Sequence, residues 1–320
     1  MSPALAYGRG MRVLVALGGN ALTSATGGAS PADQAAAVAV ATDQVADLIA
    51  SGLDVIITHG NGPQVGDLLV KNEMAAAVVP PVPLDWCGAQ TQGTIGFLLL
   101  GALERSLAAR GLRRPAAALV TRTLVDGDDP GFTHPSKPIG RYLPAAEAAV
   151  LMDHGQTWQD RGARGWRRVV ASPEPIEILD AGAAVALVDA GWVVVSAGGG
   201  GIPCVRLADG SVTGVEAVID KDLAAALLAR AVGADVLVIA TDVDHVATGF
   251  GTAEQRPLEQ VGVGELRALA DAGEFASGSM GPKVEAAARF VEAGARFAAI
   301  CSLEHITDAA HGRRGTVVRP

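Results

Sequence analysis

The sequence predicts an α/β fold in which helices cover both faces of a mostly parallel central sheet. Short apolar runs without polar alternation, typical of strands buried on both sides, alternate with longer Ala-rich helical stretches. Glycine-rich loops follow three of these runs, at the strand ends where such sheets commonly bind ligands. The 320 residues are 49% hydrophobic and 18% charged, which excludes a disordered chain and provides for a large core.

The first strand–helix–strand unit is marked by its end signals. Val13–Leu17 is an apolar run that ends in Gly-Gly-Asn. Ser30 and Pro31 are typical of a helix N-cap and first position, and Gly52 closes the helix that follows. Leu53–Thr58 is then the second buried strand.

The middle of the chain contains a change of character. A helix is predicted over Asp85–Ala109 and a strand over Ala116–Thr121, after which Pro, Gly, Asp, Trp and Arg crowd together from 126 to 173. Such a stretch is too long for an ordinary loop. We interpret the chain as a single domain (1–320) with a small inserted subdomain at about 126–173, which has a hairpin around Trp166–Val170.

The alternation of strands and helices then resumes. Predicted helices cover Ala183–Ala190, Asp220–Ala231 and Lys283–Ala293, and predicted strands cover Trp192–Ser196, Val236–Thr241 and Phe297–Cys301, with Thr316–Val318 as an edge strand.

Composition restricts the class of partner. The formal charge is −9 and aromatic residues are only 4%, which disfavours a nucleic-acid or anionic-membrane binder. The longest apolar stretch, Ile95–Leu103, is too short to cross a bilayer, and the N-terminal residues lack a signal-peptide core. Three widely spaced cysteines suggest neither a disulfide framework nor a zinc cluster. We therefore expect a cytoplasmic protein.

The glycine loops are the first candidate ligand site. Gly18-Gly19-Asn20 could present backbone amides to an anion or could be a tight turn. His59-Gly60-Asn61-Gly62 places an amide side chain between glycines, where we expect positive φ, with His59 a packed, hydrogen-bonded residue. Gly198-Gly199-Gly200-Gly201 costs more backbone entropy than a plain turn needs. Together the three loops indicate an anionic or phosphorylated ligand.

Lysines are scarce, so their positions are informative. Only four of the 25 basic residues are lysines, namely Lys71, Lys137, Lys221 and Lys283. Lys221, beside Asp220 and Asp222, and Lys283 each lie where a loop enters a helix, and a compact ammonium suits a transferring phosphoryl group. An ion pair with the neighbouring aspartates is a compatible interpretation for Lys221. Lys137 is either functional or a rim residue of the insertion, and Lys71 is expected at the surface.

Other titratable residues give weaker signals. Asp242 and Asp244 follow a strand, where they could meet magnesium or nucleotide or could form a turn and a cap. The six histidines are dispersed without a ligand-like pair, so no metal held by the protein alone is expected.

Several motifs in order resemble the carbamate kinases of the amino acid kinase superfamily. They are GGNAL (18–22), HGNGPQVG (59–66), PLDWCGAQTQG (83–93), SKPIG (136–140), GWRRVVASPEP (165–175), GGGGIP (198–203), VIDKD (218–222), TDVD (241–244) and GSMGPKVEA (278–286). The pair HGNGPQVG and GSMGPKVEA is specific, whereas GGN alone is not.

The resemblance implies an open αβα sandwich with a protruding subdomain, a homodimer, and magnesium-dependent phosphoryl transfer between ATP and carbamate to give ADP and carbamoyl phosphate. It also implies a direction towards ATP synthesis in arginine catabolism. The catalytic residues it implies are Lys221, Lys283, Asp222 and, as an alternative orienting group, Asp220. The substrate and phosphoryl residues it implies are Gly18, Gly19, Asn20, Gly60, Asn61, Gly62, Gly198, Gly199, Gly200 and Lys137. The nucleotide residues it implies are Thr241, Asp242, Asp244 and Met280.

Four positions depart from the pattern of that family. Ala247 stands where a tyrosine often lies beside the adenine, and Arg141, Ala171 and Ser277 each replace a common proline. Two alternatives remain open. One is a sibling kinase that acts on an acidic amino acid carboxylate, and the other is a catalytically silent nucleotide-binding regulator.

Overall fold

The computed structural model describes residues 10–19, 30–275 and 279–320. An eight-stranded sheet forms its centre, with seven neighbouring pairs of which only one, between the second and third strands in space, is antiparallel. In spatial order the strands are β15 (Gln260–Gly262), β17 (Thr316–Arg319), β16 (Phe297–Ser302), β12 (Val236–Thr241), β1 (Arg12–Leu17), β2 (Asp54–His59), β9 (Val193–Val195) and β3 (Ala116–Ala118). The predicted mostly parallel α/β fold is confirmed.

Helices lie on both faces of this sheet. They are α1 (Pro31–Ala50), α2 (Gly62–Ala75), α3 (Leu84–Ala109), α4 (Pro130–Thr133), α5 (Ala145–Asp153), α6 (Ala181–Asp189), α7 (Lys221–Ala231), α8 (Val263–Asp271), α9 (Met280–Glu292) and α10 (Ile306–Ala310). Residues of β1 alternate between two buried clusters, because side chains along a strand point to opposite faces. Leu14 and Ala16 pack with α7 and α9, while Val13 and Val15 pack with α1 and α3. Burial on both faces explains why the strand sequences are continuously apolar.

The helix starts follow the expected local chemistry. Ser30 caps α1 through the backbone N–H of Asp33 at 3.2 Å, and the Asp33 carboxylate accepts from the Ser30 N–H in return, which forms a capping box. Asp220 caps α7 rather than lying within it. The predicted helices therefore hold, with boundaries shifted by one to three residues.

Smaller sheets were not predicted from the sequence. One has four strands in the order β11 (Val212–Gly214), β10 (Ile202–Arg206), β4 (Arg122–Val125) and β8 (Pro175–Ile178), and another pairs β13 (Val246–Thr248) with β14 (Arg256–Leu258). The predicted strand Ala116–Thr121 is accordingly shorter, and a new strand begins at Arg122. The edge position predicted for Thr316–Val318 is wrong, because β15 pairs beyond it.

The segment 126–173 has a sheet of its own. Its antiparallel strands are ordered β5 (Lys137–Leu143), β7 (Trp166–Val170) and β6 (Trp158–Asp160), so the hairpin expected around Trp166–Val170 has β7 as the central strand of three. A small buried cluster of Leu143, Ala148 and Trp158 packs α5 against this sheet. This three-stranded sheet packs closely against α2. If Gly66 on α2 carried a Cβ atom, that atom would lie only 3.3 Å from the Cα atom of Gly140 on β5. Lys137 is the first residue of β5, the strand that packs against α2.

Candidate active site

A cleft of about 640 Å³ opens where adjacent parallel strands end. β1, β2 and β9 run side by side, so the loops after Leu17, His59 and Val195 meet at one edge of the sheet. The predicted site residues that line the cleft are Gly19, Gly60, Asn61, Gly62, Lys137, Gly199, Asp220, Lys221, Asp222 and Lys283. The structure thus brings together residues from six separate motifs.

Close packing between the loops requires the glycines. A Cβ on Gly60 would lie 2.5 Å from the backbone nitrogen of Gly19, and one on Gly198 would lie 2.3 Å from Nε2 of His59. Gly199 has φ +68° and would place a Cβ 2.2 Å from Nδ2 of Asn61. Larger residues would separate the loops, so the backbone amides that face the cleft depend on glycine.

Asn61 does not adopt the expected conformation. Its φ is −144°, so the expectation of positive φ at this position is wrong. Its amide is positioned by a side-chain contact instead, because Nδ2 donates to Oγ1 of Thr91 on α3 at 2.8 Å. Asn61 therefore makes no side-chain cap for α2, whose first turn begins at the cleft.

Gln92 supports the glycine loops from behind and was missed from the sequence. Its Nε2 donates to the carbonyl of Gly198 at 2.9 Å, and its Oε1 accepts from the backbone N–H of Thr121 at 2.8 Å. Thr123 adds a hydrogen bond from Oγ1 to the carbonyl of Gly200 at 2.8 Å. The available signal in the sequence was a glutamine within an apolar helix, because an amide side chain that becomes buried must form hydrogen bonds.

Two buried ammonium groups share one carboxylate. Lys221 pairs with Oδ1 of Asp222, and Nζ of Lys283 lies 3.2 Å from Oδ2 of the same residue. Only 11% of the Lys221 side chain, 5% of Asp222 and 7% of Lys283 is exposed. Lys283 also donates to the carbonyl of Ser279 at 3.2 Å. The two cations are thus fixed in position with one compensating charge, which leaves a net positive site.

Burial and charge act in opposition on these groups. Burial lowers the pKa of Lys221, although the Asp222 carboxylate favours its charged form. Burial likewise opposes ionisation of Asp222, but the two ammonium groups outweigh it and hold the pKa of that carboxyl below its usual value. Asp222 is therefore ionised at neutral pH.

His59 is buried and neutral. Desolvation lowers its pKa to about 4, assisted by the nearby charge of Lys221. Its Nδ1 lies 3.0 Å from the carbonyl of Gly60, and because a carbonyl only accepts, Nδ1 carries the proton. The expected packed, hydrogen-bonded histidine is what the structure shows.

Asp220 has different partners from Asp222. Its Oδ1 accepts from the backbone N–H of Asp222 at 2.9 Å, and its Oδ2 accepts from Nζ of Lys137 at 2.7 Å. The Lys137 side chain is 40% exposed. Asp222 thus contacts both buried lysines, while Asp220 connects the start of α7 to the segment 126–173.

Three helices begin at the cleft. Gly62, Lys221 and Met280 are the first residues of α2, α7 and α9, and each helix has at least eleven residues. Helix N-termini carry partial positive charge and unpaired N–H groups, which favour bound anions. Backbone dipoles therefore add to the two lysines at a site in a protein whose net charge is −9.

A second cavity of about 360 Å³ adjoins the cleft. Ser279 lines both, and the second cavity is further lined by Asp242, Met280, Ala247, Phe250 and Phe275. Phe250 is 69% exposed and lines the same cavity as Ala247, so the cavity has an aromatic side chain although residue 247 is an alanine. A flat heterocycle could bind against such a ring.

Some predicted site residues lie elsewhere. Thr241 is buried and donates to Oδ1 of Asp242 at 3.0 Å, and Asp244 faces His305 at 3.7 Å rather than the cavity. Gly18, Gly198 and Gly200 are buried behind the cleft lining. Asn20 and Ser277 lie outside the described residues.

Two other departures from the family pattern have structural roles. Arg141 forms an ion pair with Glu73 on α2 at 3.4 Å. Ala171 is buried and forms an isolated β-bridge with Ala217. Neither is itself part of the cleft lining.

The described residues contain no group of three or more His, Cys, Asp or Glu side chains arranged as metal ligands. The same part of the chain has no helix that is long and apolar enough to span a membrane.

Cations, backbone amides and helix N-termini around one cleft, with an aromatic-lined cavity beside it, define a phosphotransferase-type site. The model of the amino acid kinase family matches residues 11–302. The chain therefore belongs to the amino acid kinase family and is a kinase.

Its relatives within that family match nearly the whole chain. A carbamate kinase of Pyrococcus furiosus is 43% identical over 97% of this chain and 100% of its own. The carbamate kinase-like protein YqeA of Escherichia coli is 44% identical over 96% of this chain and 98% of its own. The carbamate kinase of Giardia lamblia bound to AMP-PNP has a TM-score of 0.91 and 40% identity, with 97% of this chain and 98% of that chain covered. The family expected from the motifs is confirmed.

Proposed function

We propose that this kinase is a carbamate kinase, which transfers a phosphoryl group between ATP and carbamate to give ADP and carbamoyl phosphate. The observation that carries the proposal is the Lys221–Asp222–Lys283 cluster facing the glycine loops, together with full-length similarity to carbamate kinases. Both substrates of the reverse reaction, ADP and carbamoyl phosphate, are polyanions that such a site can hold.

The residue roles follow from position. Lys221 and Lys283 would neutralise the charge that develops on the transferring phosphoryl oxygens, and Asp222 would hold both ammonium groups in place. Gly19, Gly60, Asn61, Gly62 and Gly199 line the space that carbamate and the phosphoryl group would occupy. Lys137 would approach from the segment 126–173, positioned by Asp220.

The nucleotide would occupy the second cavity. Asp242 and Met280 line it, and Ser279 joins it to the lysine cluster, so a nucleotide base there can direct its phosphates into the cleft. Phe250 supplies an aromatic face for the base. Magnesium would enter as part of the nucleotide substrate and would help to neutralise the phosphate charge.

We propose that the enzyme is cytoplasmic and forms ATP from carbamoyl phosphate in arginine catabolism. We also propose a homodimer. Trp86, Gln90, Gly93 and Phe97 form one exposed stripe on α3, with Trp86 60% and Phe97 74% exposed. A second copy would bury this stripe. Sedimentation should give twice the chain mass of 32.3 kDa, and Trp86→Glu should release monomers.

One observation bears on the alternative acidic amino acid kinase. Arg161 lines the cleft and could contact an α-carboxylate, a cation that the sequence did not reveal. Carbamate has no α-carboxylate and needs no such cation, so assays with the two kinds of acceptor distinguish the two functions.

The test measures ATP formed from Mg·ADP with carbamoyl phosphate, using luciferase. Acetyl phosphate replaces carbamoyl phosphate as one control. A separate assay supplies ATP with glutamate or aspartate and measures phosphoryl transfer to the amino acid. We expect carbamoyl phosphate to be strongly preferred. Transfer to an amino acid would favour the sibling kinase, and binding of ATP without any transfer would favour the regulator.

A further inference from the structure

A third cavity, of about 310 Å³, lies on the segment 126–173 beside the reaction cleft. Its lining is Pro138, Tyr142, Arg161, Arg164 and Arg167. Three guanidinium groups around so small a space are unusual in a protein with a formal charge of −9. Only Arg167 lies within one of the motifs, and the proposed reaction assigns no role to Arg164 or Arg167.

The fold holds these side chains in one place. Arg167 lies on the central strand β7, and its Nε donates to the carbonyl of Gly140 at 3.2 Å. Its guanidinium carbon is 5.0 Å from the centroid of the Tyr142 ring, and Nη1 is 3.4 Å from the phenolic oxygen. Arg161 donates from Nη2 to Oε1 of Gln159 at 2.9 Å. The cations are thus oriented by neutral acceptors.

Within the described part of the chain, no carboxylate forms an ion pair with Arg161, Arg164 or Arg167. Other arginines differ, since Arg267 and Arg289 are both paired with glutamates. Asp160, the nearest acidic residue in sequence, uses its Oδ1 to accept from the backbone N–H of Gly162 at 2.9 Å. A hydrogen bond from Arg164 lowers the pKa of the Tyr142 phenol, which agrees with an excess of positive charge.

The cavity is connected to the reaction cleft. Pro138 and Arg161 line both spaces, so an anion bound at the arginines lies at the entrance to the Lys221–Asp222–Lys283 cluster. Lys137, the residue before Pro138, lines the cleft side. An anion that moves from the three arginines into the cleft would therefore pass Arg161 and Lys137 before it reaches the buried lysines.

We propose that Arg161, Arg164, Arg167 and Tyr142 form a second oxyanion site, which takes a phosphate-type dianion and holds the phosphoryl end of carbamoyl phosphate at the mouth of the cleft. Guanidinium groups suit this ligand because they bind phosphate oxygens in pairs, and the phenol adds a further donor. The assignment to carbamoyl phosphate rests on the proposed function, but the binding of a phosphate-type anion does not.

The first test measures binding of inorganic phosphate to the full chain by isothermal titration calorimetry, without nucleotide or turnover. Arg164→Gln removes one exposed guanidinium from the site. Arg113→Gln is the matched control. Arg113 is also exposed, and it precedes the amino-terminal end of β3, whereas the cleft lies at the carboxyl-terminal ends of the strands.

The proposal expects two phosphates per chain in the wild type and in Arg113→Gln. Arg164→Gln should bind one of them about 10-fold more weakly, which corresponds to one charge-assisted contact, and Lys283→Met should weaken the other. Identical isotherms for Arg164→Gln and Arg113→Gln would overturn the site, whatever the enzyme's activity.

The second test identifies the source of the anion. If the site holds carbamoyl phosphate, Arg164→Gln should raise KM for carbamoyl phosphate about 3- to 10-fold, with a smaller change in kcat, while Arg113→Gln keeps wild-type kinetics. A weakened phosphate isotherm with an unchanged KM would support the anion site and overturn its role in substrate capture. Failure to form ATP in any protein would reject the proposed function but leave the phosphate measurement intact.

Discussion

The two lysine–aspartate arrangements at the cleft differ in burial and in what they connect. Lys221 and Lys283 are nearly excluded from solvent and share Asp222, all three held by α7 and α9 of the main body. Lys137 is 40% exposed and reaches Asp220 from the segment 126–173. The buried group is preorganised for charge stabilisation, whereas the Lys137–Asp220 pair, in which only the lysine is substantially exposed, links two parts of the chain.

The largest effect should come from the buried group. Lys221→Met and Lys283→Met should each lower kcat for ATP formation about 10²- to 10³-fold, because a desolvated charge at a developing oxyanion stabilises the transition state strongly. Lys71→Met is the matched control, since Lys71 is exposed on α2 and outside the cleft lining. Wild-type kcat in both buried variants would contradict the assigned roles.

Removal of the shared carboxylate tests the same group through stability. Asp222→Asn leaves Lys221 and Lys283 buried beside each other without compensation, and a buried unpaired charge costs about 3–5 kcal/mol. Urea unfolding should show that loss at pH 7. Asp209→Asn, at an exposed position where the amide oxygen can still accept the Ser211 hydrogen bonds, should leave the unfolding free energy nearly unchanged. A small loss in Asp222→Asn would show that one lysine is neutral in the folded protein.

The Lys137–Asp220 pair should give a smaller effect. Lys137→Met should lower kcat/KM about 10-fold and should lower the unfolding free energy less than Asp222→Asn does, because the Lys137 side chain is 40% exposed and Asp220 keeps its hydrogen bond from the backbone N–H of Asp222. Asp220→Asn should keep the N-cap, since asparagine also caps helices, and yet lose the ion pair with Lys137. If Lys137→Met matches Lys283→Met in kcat, the distinction between the two arrangements fails.

The sequence predicted the parts of this site that depend on backbone chemistry. Glycine loops after apolar runs located the carboxyl ends of β1, β2 and β9, and the scarcity of lysine singled out Lys221 and Lys283. Those features are local: a few consecutive residues of the sequence are enough to identify a glycine that permits a close backbone approach, or a cation at the start of a helix.

The parts that were missed depend on long-range contacts. Gln92 is 106 residues from the carbonyl it supports, and the choice between Asp220 and Asp222 depends on the positions of Lys137 and Lys283. Asp244 was expected near nucleotide but faces His305, which a strand-end position alone could not reveal. The four-stranded sheet was missed for the same reason, since its short strands pair across the chain.

The last effect concerns His59, which lies behind the buried group, and it depends on pH. The unfolded chain protonates His59 near its ordinary pKa of about 6.5, while the folded protein resists protonation until about pH 4. Between those values only the unfolded state binds the proton, so stability falls as pH falls, by about 2 kcal/mol between pH 7 and pH 5 from this group alone. Urea unfolding of the wild type and of His59→Gln at both pH values isolates this contribution, with the exposed His154→Gln as control. We expect the pH dependence to shrink by that amount in His59→Gln and to be unchanged in His154→Gln. The same slope in all three proteins would mean that His59 accepts a proton in the folded state, where its charge would oppose that of Lys221.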